Sequence, residues 1–460
     1  MISKSAIKKL TQILGGEHIL TNKDDMSPYC HDATHNMFPP EAVVFPGTAI
    51  DISKIMQLAN KELIPVVPRG AGSGMSGGAL AIKGGLVMSM DRLNKILLID
   101  EKNLIARVEP GVITGYLQEE VEKIGLFYPP DPASLNVSTV GGNVAECAGG
   151  PRAVKYGVTR DYILGLKVVL PDGEILAIGV ETAKGVVGYD LTRLIVGSEG
   201  TLAIITEITV RLIPRPEKKK TLLVIFPDIF SAAQGVSNII REKIVPTTIE
   251  FMDSLSVQLV RQELNFDLPK GNIALLLIEL DGDQWQIDTY SDRVSAICRD
   301  TGSMDIHVAC DGKEAEELWM VRRGLSPALL SLKPDKINQD VVVPRSRLAE
   351  FVTALSEIGR KYDLMIPSFG HAGDGNIHVN IMLDRDNKDE EKRAGKALKE
   401  LFELVIDFRG TISGEHGIGI SKKPFIGMEV SESVLMLMRG IKKVFDPNNI
   451  LNPGKIFDDI

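Results

Sequence analysis

The sequence predicts an α+β protein with more than one domain. Three observations carry that reading. A strand–helix–strand pattern near the start ends in a glycine cluster rather than in a second helix. Strand-forming runs separated by turn residues follow. After a charge run bracketed by prolines, the alternation of strand and helix patterns begins again. A length of 460 residues leaves room for two or three domains with sizeable cores. A net charge of −9 argues against non-specific binding to nucleic acid or to an anionic membrane surface.

The elements follow in order. Ile7, Leu10, Ile13 and Leu14 recur at helical spacing, so residues 1–38 read as an N-terminal helical segment. Val43, Val44 and Phe45 form a short strand. Residues 51–61 form an amphipathic helix with Ile52, Ile55, Met56 and Ala59 on one face. The next strand, 64–67, runs into PRGAGSGMSGG. Five glycines (Gly70, Gly72, Gly74, Gly77 and Gly78) alternate there with small residues such as Ala71 and Ser73. Such a loop lets backbone N–H groups approach a bulky anion such as a pyrophosphate, and Arg69 adds a fixed positive charge. A Rossmann turn would lead directly into a helix. Here Leu86, Val87 and Met88 read as another strand, which excludes an NAD site of that kind.

Residues 128–157 (YPPDPASLNVSTVGGNVAECAGGPRAVKYG) read as a long loop of the functional kind. Strands are expected at 163–170, 175–178 and 206–212, with a Pro171–Asp172–Gly173 turn after the first. LIVGSEGTLAII at 194–205 places a glycine turn in an apolar frame. The run PRPEKKK at 214–220 is the predicted domain junction. Beyond it come strand 221–226, helix 229–241, strands 248–252 and 274–280, and a charged, exposed helix over 384–403. The expected division is therefore 1–38, 39–216, 217–412 and 413–460.

Cys30, Cys147, Cys298 and Cys310 are scattered and form no Cys-x-x-Cys pair, so neither an iron–sulfur nor a zinc-ribbon site is indicated within this chain. Reduced thiols suit a cytoplasmic protein. MISKSAIKKL lacks the apolar centre of a signal peptide, and no apolar run reaches the length of a membrane span. Contact with a membrane is expected only through a partner or a surface patch.

Three of the seven histidines cluster in SFGHAGDGNIHVN and SGEHGIG. The Gly373–Asp374–Gly375 turn can fold His371 back toward the strand that carries His378. On that strand His378 and Asn380 share a face. Glu415 and His416 are adjacent in a glycine-flanked loop and can point to different partners. Two histidines and a carboxylate suit a divalent metal with open positions.

These motifs together resemble one family, the flavoproteins of the vanillyl-alcohol oxidase type. Within it the chain is most similar to the FAD-linked 2-hydroxy-acid dehydrogenases: D-lactate dehydrogenases, the glycolate oxidase catalytic subunit and D-2-hydroxyglutarate dehydrogenase. PRGAGSGMSGG matches the pyrophosphate loop. STVGGNVAECAGG, KYGVTRDYILGLKVVLPDG and VGSEGTLAIIT match the other flavin-contacting stretches. GHAGDGNIHVN, SGEHGIG and LNPGKIF match the C-terminal signatures. The resemblance implies a PCMH-type FAD-binding domain of two α+β subdomains and a cap domain with an antiparallel sheet and flanking helices. It implies oxidation of a D-2-hydroxy acid, D-lactate or glycolate first, to the 2-oxo acid. Electrons would pass to an electron-transfer flavoprotein, an iron–sulfur subunit or a quinone, in a hetero-complex or a homodimer.

FAD contacts are implied at Pro68, Arg69, Gly70, Ala71, Gly72, Ser73, Gly74 and Met75 of the loop. Pro130, Ser134, Ser138, Thr139, Gly141, Gly142, Asn143, Ala145, Ala148, Gly149 and Gly157 form a second group. Glu199, Gly200, Ile204, Ile205 and Asn452 complete the set. Ser73 stands where covalently flavinylated relatives carry histidine, which implies non-covalent FAD. The metal set, for Zn, Mn or Fe, falls on His371, His378 and Glu415. The catalytic base falls on His416 and the substrate-binding asparagine on Asn380. The arginine that grips the carboxylate falls on Arg322, with Arg323 beside it. Ser326 and Lys336 are further candidates. The alternative readings are a non-redox FAD enzyme of the alkyl-glycerone-phosphate synthase type and a non-catalytic flavin-binding subunit.

Overall fold

Ser3 accepts the Ala6 N–H at 3.0 Å and starts helix Lys4–Leu14, which buries Ala6, Leu10 and Leu14 along one stripe. Thr48 caps helix Ala49–Glu62 in the same way, and Ile52, Ile55, Met56 and Ala59 are its buried face. Both helices pack on a four-stranded sheet in the order Ile19–Leu20, Ala42–Val44, Leu86–Ser89, Val66–Arg69. The parallel pairing of Val66–Arg69 with Leu86–Ser89 aims the glycine loop off one sheet end. The N-terminal segment is thus part of the first core rather than a separate piece.

This computed structural model describes residues 1–34, 36–264 and 266–458. They form two units. The first comprises residues 1–149, 158–215 and 415–460; the second comprises 150–157 and 216–414. Residues 150–157, which the sequence assigns to the first half, belong instead to the second unit, and the final segment starts at Glu415 rather than at residue 413.

The first unit also holds a five-stranded antiparallel sheet in the order Ile96–Asp100, Ile105–Val108, Ile204–Arg211, Ile163–Val169, Ile175–Gly179. Its first two strands, and helix Thr114–Glu122, do not emerge from the sequence patterns. The 128–157 stretch is not all loop: it contains helices Val140–Glu146 and Ala153–Tyr156. Thr139 caps the former by accepting the Gly142 N–H, an interaction that overrides the poor helix propensity of the two glycines. The C-terminal segment is stitched into the first sheet, since the Val66 N–H donates to Ile450 O and the Asn452 N–H to Val66 O, both at 2.8 Å.

The second unit is a seven-stranded antiparallel sheet. Its order is Asp305–Val308, Lys218–Phe226, Ala274–Gly282, Thr248–Met252, Ser368–His371, Asn376–Leu383, Asp335–Val342. Lys218, Lys219 and Lys220 open a strand paired with residues 280–282, and the division between the units falls just before them, between Arg215 and Pro216. Helix Lys388–Asp407 begins four residues later than expected and is not simply exposed, because Ala394, Ala397, Leu401, Phe402 and Val405 are buried along one face. Helices Ser254–Val260 and Gly312–Ala328 cover one sheet face through Val257, Val260, Leu318, Val321 and Leu325.

Candidate active site

In the first unit, the strand Val66–Arg69 delivers Pro68 to Met75 to the wall of a cavity of about 1280 Å³, open solvent at its mouth included. Ser134, Ser138, Thr139, Gly141, Gly142, Asn143, Ala145, Ala148, Glu199, Gly200, Ile204 and Ile205 line it as well. The glycines are required by close approach. A Cβ on Gly70 would lie 2.3 Å from Thr139 Oγ1, and one on Gly141 would lie 2.5 Å from Pro110 Cβ. Gly72 sits at φ +69° with the Arg69 guanidinium where its Cβ would be. At Gly74 an added Cβ would meet nothing within 4 Å. Arg69 is buried. Its Nη2 donates to Pro28 O and His31 O, while Nη1 has no partner among the described residues.

Glu199, at φ +54°, accepts the Ile418 and Gly419 N–H groups at 2.7 and 2.6 Å. Burial pushes its carboxyl up, against those two donors and Lys455. The loop it holds carries Glu415 and His416, which also line the cavity, with His416 Nε2 3.6 Å from Glu415 Oε1.

In the second unit, period-two alternation and the observed register place Glu250, Phe369, His371, His378, Asn380, Lys336, Asn338 and Asp340 on one sheet face. This is the face covered by helix Gly312–Ala328. His371 and His378 are buried with their Nε2 atoms 3.4 Å apart and their rings edge to face. His371 Nδ1 lies 2.6 Å from Glu250 Oε1. Arg322 donates from Nε to Glu250 Oε2 at 2.8 Å and pairs with the same oxygen through Nη2 at 2.6 Å, and its guanidinium lies 4.7 Å from the Phe369 ring centre. Glu250 is fully buried, which opposes ionisation, but His371 and Arg322 outweigh that and hold its carboxyl at about 2. Lys336 Nζ donates to Ser326 O and Oγ, both at 2.8 Å, and burial lowers its pKa. Asn338 Nδ2 donates to Asn380 Oδ1 at 2.7 Å.

Residues 40–179 match the family described as FAD binding domain, and residues 215–456 match FAD linked oxidases, C-terminal domain. The chain is 45% identical over 99% of its length to the glycolate oxidase subunit GlcD of Bacillus subtilis, spanning 97% of that protein. The chain belongs to the FAD-linked oxidases. It falls with their FAD-dependent 2-hydroxy-acid dehydrogenases and is also 36% identical to a D-lactate dehydrogenase of Anaerostipes hadrus, over 99% of this chain and 98% of that one. The p-cresol methylhydroxylase structure with substrate bound shares the fold, at a TM-score of 0.80 and 20% identity, covering 99% of this chain and 96% of that one.

For an FAD-linked oxidase the first cavity fits the cofactor. Arg69 Nη1 supplies a buried donor, and the glycine backbone admits a bulky anion that side chains would exclude. Four expected contacts do not line the cavity. Pro130 uses its carbonyl to accept from Gln118 Nε2 at 2.8 Å. Gly149 packs on Glu415. Asn452 braces the wall from behind by donating to Gly78 O and Glu199 O. Gly157 lies in the second unit, at the end of helix Ala153–Tyr156.

Arg322 and Arg323 are now separated: Arg322 reaches the polar sheet face, and the exposed Arg323 pairs with Glu316. The Glu250 contact takes up Arg322 Nε and Nη2, which leaves Nη1 as the nitrogen that Glu250 does not hold. The sequence reading missed Met90, Pro110, Pro132 and Glu146 of the cavity, and Glu250, Asn338 and Asp340 of the sheet face. Only Glu250 left a signal. It is the single charge in Thr248–Met252, a strand buried along its whole length, where a carboxylate requires a partner.

Proposed function

We propose that this protein oxidises a D-2-hydroxy acid, glycolate or D-lactate, to the 2-oxo acid. Its FAD is held non-covalently, and a divalent metal (Zn, Mn or Fe) is held by His371, His378 and Glu415. The observation that carries the reading is the imidazole of His416 in the wall of the glycine-lined cavity. Bound FAD supplies the acceptor for the hydrogen and electron pair that leave Cα as C–O becomes C=O. The metal supplies a Lewis acid that lowers the hydroxyl pKa. His416 takes the hydroxyl proton as general base. Lys336, Asn380 and Arg322 Nη1 hold the carboxylate and fix the pose.

Two imidazoles facing each other at 3.4 Å support the metal assignment. Two nitrogens at about 2.0–2.1 Å from one tetrahedral metal stand about 3.3 Å apart. The electrons then leave for an electron-transfer flavoprotein, an iron–sulfur subunit or a quinone, in a cytoplasmic protein that meets any membrane through its partner.

Anaerobic titration with paired D- and L-2-hydroxy acids tests the reading. Bleaching of the flavin by D-lactate or glycolate is expected. A flavin that no 2-hydroxy acid reduces would overturn it in favour of a non-redox or non-catalytic role.

A further inference from the structure

We infer that Glu250 is a positioning residue that fixes the tautomer and ring orientation of His371, with Arg322 as its fixed counter-charge. The inference rests on the proposed metal role of His371 and His378.

Glu250 comes from the middle of the strand Thr248–Met252 and has no exposed surface. A lone carboxylate there would be prohibitively costly, yet both of its oxygens meet charged or polar groups. One oxygen, Oε1, meets His371 Nδ1 at 2.6 Å; the other, Oε2, accepts from Arg322 Nε at 2.8 Å and pairs with its Nη2 at 2.6 Å. At that distance from a carboxylate, Nδ1 carries the proton. With Nδ1 so engaged, Nε2 is the nitrogen left to offer a lone pair to a metal, and it is the atom that faces His378 Nε2. A metal-ligating histidine held through its other nitrogen by a carboxylate is both more basic and better aimed.

The arrangement also explains why Arg322 is pinned. Its guanidinium lies over Phe369 and pairs with Glu250 through Nε and Nη2, so it holds Glu250 in place. The ring of Phe369 in turn lies 5.9 Å from that of His378, so one packed cluster sets both imidazoles.

The test uses FAD-loaded protein freed of metal by chelation, with Zn²⁺ affinity measured by competition against a chromophoric chelator. Glu250→Gln keeps the shape but makes a far weaker acceptor. It should bind Zn²⁺ about 10- to 100-fold more weakly than the parent while retaining FAD and native near-ultraviolet dichroism. Glu250→Asp keeps the charge on a shorter arm and should fall between the two. It also carries the test if the glutamine variant does not fold. Parent-like Zn²⁺ affinity in the folded variants, even with lowered thermal stability, would overturn the inference. It would leave Glu250 as a core ion pair and the metal site intact. A parent that binds no Zn²⁺ would overturn the metal reading, and this inference with it.

Discussion

His416 and Glu415 are neighbours in the chain with different proposed duties, and substitution distinguishes them. Losing a general base costs about a hundredfold to ten-thousandfold in rate. His416→Ala should therefore slow flavin reduction by that factor at saturating substrate, with FAD and metal retained. Stopped-flow reduction near the parent rate would place the base elsewhere. Ser73 offers no imidazole for a flavin linkage, so acid precipitation should leave the yellow colour in the supernatant; colour in the pellet would refute non-covalent binding. Gly70 tests the cradle. A Cβ there meets Thr139 Oγ1 at 2.3 Å, the same oxygen that caps helix Val140–Glu146. Gly70→Ala should weaken FAD binding and cost about 1–3 kcal/mol in urea unfolding. Unchanged FAD affinity and midpoint would show that the wall yields.

At the scale of elements, the C-terminal segment closes the first unit from behind the cavity. Lys442 donates to Thr201 O and Leu451 O and pairs with Asp446, all buried. Lys455, 2% exposed, donates to Leu80 O and Asn452 Oδ1. Burial lowers the Lys455 pKa to about 8, against the pull of Glu199, Asp32 and Glu146. The unfolded value is about 10.4, so between about pH 8 and that value the unfolded chain holds more protons and stability rises with pH. Below about 8 both states are protonated and the full cost of the buried charge remains. Relative to Lys455→Met, the parent should gain up to about 3 kcal/mol as pH rises through that window. Urea unfolding of both proteins at about pH 7 and about pH 10 measures it, and a parallel response would show that Lys455 keeps its proton throughout and that burial does not lower its pKa.

Over the whole molecule the flavin cavity and the histidine pair are built from different units. The residues lining the flavin cavity belong to the first unit, while His371, His378 and Glu250 belong to the second. Chelation should accordingly strip the metal and abolish turnover while FAD stays bound, followed by metal analysis and flavin absorbance. Undiminished turnover by metal-free protein would remove the metal from the mechanism.

Much of the flavin cavity was legible in sequence because its demands are local. A strand that ends in closely spaced glycines has few other uses, and Gly70, Gly72 and Gly141 are sites where backbone geometry or contact forbids a side chain. The His371–His378 pair was legible for the same reason: a Gly-Asp-Gly turn between them dictates a hairpin. Helix Val140–Glu146 was hidden because its cap, not its composition, makes it helical. What only the tertiary structure decided is the company these residues keep. Glu250 reaches His371 across 121 positions and Arg322 across 72. Those partners are set by strand register and by the helix laid over the sheet, and no local spacing encodes them. A buried carboxylate in an apolar strand announces that it must have a counter-charge; which cation answers, and which histidine it steadies, depends on which strands pair.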